Sequence, residues 1–165
     1  MELHSSPVRT GKFPPIGFSP DSDIVRTTKP ASLDVPGRDL HFLELLSAYR
    51  KSAGIGLSSE VAARRPVTGL SDLARAIASR EVLSFEWGGH LWLPLFQFEY
   101  RELTVHTSVL ALLRELSAVL DDWEMADWFV APNAWLENSA PLSLVFADSA
   151  RVLDAARALR FALRA

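Results

Sequence analysis

Residues 128–144, WFVAPNAWLENSAPLSL, break an otherwise regular helical pattern with two proline-centred clusters, and reading them decides the fold. Pro132 restricts Ala131 and ends the helix that carries Trp128 and Phe129. Asn133 then caps a single turn bearing Trp135 and Leu136. Ser139 caps a short helix with Pro141 near its start, in which Leu142, Val145 and Phe146 are expected to face inward. Bulky apolar groups and few polar ones leave little for catalysis. Phasing turns Trp128, Phe129, Leu136 and Leu142 toward the core, so the stretch is expected to act as a rigid elbow that sets the angle between its flanking helices.

Working outward, the clearest helix begins at Thr107, where Val109, Leu112, Leu113, Leu116, Val119 and Leu120 recur at helical spacing through four turns. Asp121 or Asp122 caps the next helix, lined by Met125, Trp128 and Phe129. After the elbow, Asp148 opens the last helix, with Val152, Ala156, Leu159 and Leu163 expected inward. A second stripe there holds Leu153, Arg157, Arg160 and Arg164. Its arginines suit the negative end of the helix dipole and equally suit a clamp for carboxylates or phosphates.

Upstream the period changes. VLSFEW and HLWLPLFQF flank Gly88-Gly89, which predicts a β-hairpin with a two-residue turn. Leu83, Phe85 and Trp87 share one face. Pro94 lacks an N–H, so the second strand is expected to end there or to lie at an edge. A lone hairpin is marginal in water and must pack on helices or pair with another chain, the latter favouring a homodimer. His90 beside the turn reads as solvated.

From Asp39, Leu43, Leu46 and Tyr49, with Phe42 and Leu45 beside them, recur at helical spacing and predict a helix ended by Gly54 and Gly56. Ser58 caps a short helix to about Arg65, Pro66 stops it, and Thr68 precedes a third helix with Leu70, Leu73, Ala74 and Ile77 on one face. Two helices joined by a tight turn outline a degenerate helix-turn-helix over residues 40–80. DNA contacts would come from Arg64, Arg65, Ser71, Arg75 and Arg80, although no Asn or Gln is placed to read adenine.

Residues 1–39 hold six of the ten prolines and predict an extended or disordered tail. Phe13, Ile16 and Phe18 give it an apolar string that suits either docking or a solvated leader. Charge is uneven beneath the net −3: residues 40–80 carry six basic and three acidic side chains, residues 81–165 six and twelve. A basic middle and an acidic C-terminal half suit two different partners.

With no cysteine, disulfides, thiol chemistry and cysteine-bound metal are excluded, and four histidines at 4, 41, 90 and 106 lack zinc spacing. No run reaches membrane-helix length and no signal segment opens the chain, which points to a cytoplasmic protein. GxGxxG, Walker, HExxH and GxSxG motifs are missing. Asp121, Asp122, Glu124 and Asp127 read as a helix cap and solvated face more than as a cation site. Neither a metal, a cofactor nor an enzymatic activity is expected. The expected fold is mainly α, a compact helical bundle with one β-hairpin, preceded by the Pro-rich extended tail.

Three strings in order, PLFQF at 94–98, PNAWL at 132–136 and PLSLV at 141–145, followed by a closing helix VLDAARALRFAL, resemble the Xre/MbcA/ParS-type antitoxins and their C-terminal toxin-binding domain. The resemblance covers residues 81–165, and more faintly the helix-turn-helix-like segment 40–80. It implies a type II antitoxin that neutralises a neighbouring-gene toxin of the NAD-consuming RES type by covering its active site. It also implies regulation of its own operon, as a dimer on operator DNA. Toxin contacts are then expected at Asn133, Trp135, Leu136, Pro141, Leu142, Arg157, Arg160 and Arg164. Members commonly have glycine just before the PLxLL string, where this chain has Glu137-Asn138-Ser139-Ala140, so a different turn is expected.

Overall fold

Gly88 and Gly89 both take positive φ, 61° and 74°, which a two-residue hairpin turn requires and glycine adopts without steric penalty. They join strands β2 (Phe85–Trp87) and β3 (His90–Pro94), with Phe85 opposite Trp92 and Trp87 opposite His90. The computed structural model describes residues 35–65 and 68–164, so the expectations for the tail's first 34 residues lie outside it. Among the described residues the chain is mainly helical, with seven α-helices and one three-stranded antiparallel sheet.

The third strand corrects the hairpin reading. Ile55–Leu57 forms β1 and pairs with β3 in the order β1-β3-β2, so β3 is the central strand and stops at Pro94, where a donor is missing. This chain therefore pairs its own hairpin. The first helix, α1 (Val35–Tyr49), starts inside the expected tail, because Pro36 falls in the first turn where no N–H is needed.

The sheet separates two cores. On one face Phe42 of α1 stacks on Trp87 at 3.9 Å and meets Trp92, while Phe85 and Phe96 join the buried residues of α4 (Thr107–Leu116), α5 (Asp122–Val130) and α7 (Ser149–Arg164). On the other, Leu93 packs with Val61 of α2 (Ser58–Ala63), Leu73 of α3 (Thr68–Ala78), Val82 and Phe98. The string PLFQF lies at this division. Its 3-10 turn, Leu95–Gln97, sends Phe96 into the larger core and Phe98 into the smaller, with Gln97 fully buried between them.

The inward face of α1 is Phe42, Leu45 and Tyr49; Leu43 points outward. Tyr49 is fully buried and donates a 2.8 Å hydrogen bond to the carbonyl of Ala126 on α5. Burial, and next the nearby Asp127 carboxylate, push its phenol well above the ordinary value of 10.0. A raised pKa means that the fold favours the protonated ring. The stabilisation is fully present below about pH 10 and is lost as pH rises further. A spectrophotometric titration is expected to show the Tyr49 phenol ionising only together with alkaline unfolding. Ionisation of Tyr49 in the still-folded chain would contradict its burial.

Helices α4 and α7 make the largest helix–helix contact. His106, just before α4, lies edge-on to Phe146, just before α7, at 4.8 Å, and Glu115 near the end of α4 pairs with Arg157 and Arg160 in the second half of α7. The two helices therefore run in the same direction. The expected four-turn helix from Thr107 is shorter, ending at Leu116, with residues 117–119 in a turn toward α5. Asp121 caps α5 in a reciprocal box: it accepts from the Glu124 N–H at 2.8 Å, and Glu124 accepts from the Asp121 N–H at 2.7 Å.

Candidate partner-binding surface

The elbow forms as its residues dictate. Asn133 precedes the 3-10 turn Ala134–Leu136, and its side-chain oxygen accepts from the Trp135 N–H at 3.0 Å. A backbone bridge from Asn133 to Ser139 closes the loop beyond it. Pro141 starts the short helix α6 (Pro141–Leu144), whose N-cap is Ala140 and not Ser139. Val145 is buried as expected, but Phe146 is turned outward onto His106 and is 55% exposed.

Between Asn133 and Ser139 the chain reverses through Glu137 and Asn138, at φ 55° and 63°. Both therefore occupy the left-handed region that glycine favours. Glu137 is also tied to Arg151 at 2.8 Å, whereas no side-chain bond of Asn138 is found among the described residues. Asn138→Gly is expected to raise stability by about 0.5–1 kcal/mol, read from denaturant melts, because it relieves the left-handed penalty without losing a contact.

The expected contact residues divide into two kinds. Asn133, Leu136 and Pro141 are buried and can act only by shaping the loop. Trp135 is 51% exposed on the same turn, and Leu142 is half-buried. Arg157 and Arg160 hold a carboxylate of their own chain, Glu115, at 3.5 and 2.6 Å, and Arg157 also meets Asp154 at 3.3 Å. Two cations thus offset an acid placed near the negative end of α4. Arg164 is exposed and has no ion pair among the described residues. The last turn of α7 leaves the core, so Leu163, expected inward, is exposed beside Phe161, which is 79% exposed.

The helix-turn-helix-like residues are also of two kinds. Arg64, Ser71 and Arg75 are exposed, with Arg75 paired to Asp72 at 2.6 Å. Arg65 and Arg80 are turned inward. Arg65 donates to the carbonyls of Leu103 and Gly69 and lies over the Phe98 ring, and burial lowers its pKa from the ordinary guanidinium value. Arg80 donates to the carbonyls of Ser117 and Leu120, both at 2.8 Å, and to Asp122. Neither guanidinium is directed at a phosphate.

Sequence reasoning missed a groove. α1, the end of α5 and α6 enclose about 630 Å³ between Glu44, Ser47, Ala48, Lys51 and Ser52 on one side and Val130, Ala140, Leu142 and Ser143 on the other. Its wall from α1 and the following turn is polar or small, so no apolar pattern marked it in the sequence.

Among the described residues, no group of three or more His, Asp or Glu is placed to hold a metal ion, and no helix is long and apolar enough to cross a membrane. What the fold defines is a mainly helical domain with a small sheet, presenting aromatic and charged surface around an aromatic–proline elbow. Comparison with protein-family models, curated proteins and solved structures gives no match.

Proposed function

We propose that this chain is a non-catalytic antitoxin that binds a RES-type, NAD-consuming toxin and occludes its active site with the surface around the elbow. The observation that carries the reading is the ordered series PLFQF, PNAWL and PLSLV, which resembles the toxin-binding domain of Xre/MbcA/ParS-type antitoxins. Each string also has a defined local job: burying Gln97, presenting Trp135, and walling the groove with Leu142. An exposed tryptophan on a rigid turn is the kind of residue that dominates binding energy, since it orders little on association.

Titration of the purified chain into the toxin encoded beside it is expected to give a stable complex and to stop NAD consumption. Trp135→Ala is expected to raise Kd about tenfold or more while leaving the melting temperature nearly unchanged, because half of the ring is already in water. A variant that loses stability as much as affinity would make Trp135 a packing residue. The arginine stripe is a poorer probe than its exposure suggests: reversing Arg160 opposes Glu115 and weakens the α4–α7 contact itself. Arg164→Glu tests the same end of the helix without that fault.

A further inference from the structure

The groove between α1, the end of α5 and α6 has the size and the chemistry of a small-ligand site. Its volume of about 630 Å³ falls within the range that holds one such ligand. Val130, Ala140 and Leu142 form its apolar wall, all half-buried, with Ala48 of α1 facing them. Two ionised groups of opposite sign also line it. Glu44 and Lys51 are both exposed, and neither has an ion-pair partner among the described residues. The hydroxyls are more selective. Ser52 donates to the Tyr49 carbonyl at 2.8 Å and Ser143 to that of Ala140 at 2.6 Å, so both protons are already committed. What these two oxygens offer a ligand is lone pairs, as Glu44 does, while Lys51 offers N–H donors.

These groups select a ligand by elimination. Glu44 would repel a phosphate or a dicarboxylate, and Lys51 a polyamine. A purely apolar molecule would leave both charges and the hydroxyl oxygens without partners. A ligand with an ammonium, amide N–H groups, an aliphatic side chain and a carboxylate satisfies all of them together. We infer that the groove is a binding site for short peptides with both ends free. The peptide's ammonium meets Glu44, its carboxylate meets Lys51, its N–H groups reach the hydroxyl oxygens, and its side chain lies against Val130 and Leu142. An internal stretch of a protein chain lacks both terminal charges and would need two side-chain charges at matching spacing to replace them. Of the lining residues only Leu142 is shared with the surface proposed for the toxin, so the inference does not rest on that reading.

Titration of the full chain with alanyl-leucyl-alanine, followed in its amide NMR spectrum, tests the site. Saturable shifts are expected at Ala48, Leu142 and Ser143, with a Kd of about 0.1–1 mM for a ligand of this size. Acetylating the peptide's amine or amidating its carboxyl is expected to weaken binding about fivefold, the loss of one charge-assisted contact at a partly solvated site. Two variants at exposed positions, checked for unchanged folding by circular dichroism, assign those contacts to residues. Glu44→Gln is expected to weaken the free peptide about fivefold and the acetylated peptide not at all, and Lys51→Met to do the same for the free and the amidated peptide. Variants that weaken every form of the peptide alike would overturn the inference, since neither charge would then meet a terminus. So would the absence of saturable shifts up to about 10 mM peptide. A doubly capped peptide that binds as tightly as the free one would overturn it too, by making an internal chain segment the occupant.

Discussion

Gln97→Leu is expected to destabilise the fold by about 3 kcal/mol, although it exchanges a polar side chain in a core for an apolar one of similar size. The gain in transfer energy is outweighed by what the amide does. Its oxygen accepts from the Leu83 N–H at 2.7 Å, and its nitrogen donates to the carbonyls of Leu83 at 2.9 Å and Pro94 at 2.8 Å. Gln97 thus serves Leu83 as a neighbouring strand would, at a position where β2 has not yet begun. Leucine would leave one donor and two acceptors buried without partners, each at about 1–3 kcal/mol before relaxation. Gln97→Glu sharpens the test. Ionised, it would face two carbonyls, so the fold favours the protonated acid and raises its pKa. Its stability is then present below about pH 4 and lost as pH rises, opposite to the usual carboxylate. A Gln97→Leu chain as stable as the original would mean that these backbone groups find other partners.

The second large effect is at Arg80, where two terms oppose each other. α3 ends in a Schellman motif: the Glu81 N–H bonds the Ala76 carbonyl at 2.8 Å and the Arg80 N–H bonds that of Ile77 at 3.0 Å. Arg80 therefore stands at the position glycine usually takes, with φ 56°. Its side chain justifies the residue, since four hydrogen bonds reach Ser117, Leu120 and Asp122 and fix the link between α4 and α5. Arg80→Ala keeps the strained backbone and removes those bonds, with an expected loss of about 2 kcal/mol for a partly solvated group. Arg80→Gly removes the same bonds and relieves the strain, so it should be about 1 kcal/mol more stable than the alanine variant. Urea denaturation of both separates the terms: equal stability would refute the strain, and an alanine variant as stable as the original would refute the linkage.

What could be read in the sequence follows from how local the cause was. The Gly-Gly turn, the Asn133 cap and the acidic cap of α5 depend on neighbours within a few residues, and each appears as expected; α4 and α7 form where their helical patterns lie, but α4 stops at Leu116 and Leu163 of α7 is exposed. β1 did not announce itself, because three residues with a central glycine look like the end of a helix; only the pairing of Gly56 with Leu93 makes them a strand. α1 was misphased since Leu40, Phe42, Leu43, Leu45, Leu46 and Tyr49 leave almost no polar side, and only α5 and the hairpin decide which residues turn inward. The same distance hid the partners of the arginines. Glu115 lies more than forty residues from Arg157 and Arg160, and Ser117, Leu120 and Asp122 lie 37 to 42 residues from Arg80, so an arginine holding its own fold and one awaiting a ligand read alike.

Those assignments narrow where a partner can bind. With Arg65, Arg80, Arg157 and Arg160 engaged within the chain, the available groups near the elbow are Trp135, Phe146, Leu142 and the last turn of α7. The proposed antitoxin function requires this surface to meet a toxin. Its most direct test is a titration of the RES-type toxin with the purified chain, recording both complex formation and NAD consumption. Stoichiometric inhibition, weakened by Trp135→Ala, is the expected result. Full NAD consumption with no complex at concentrations of about 10 µM, an affinity weaker than about −7 kcal/mol, would contradict it.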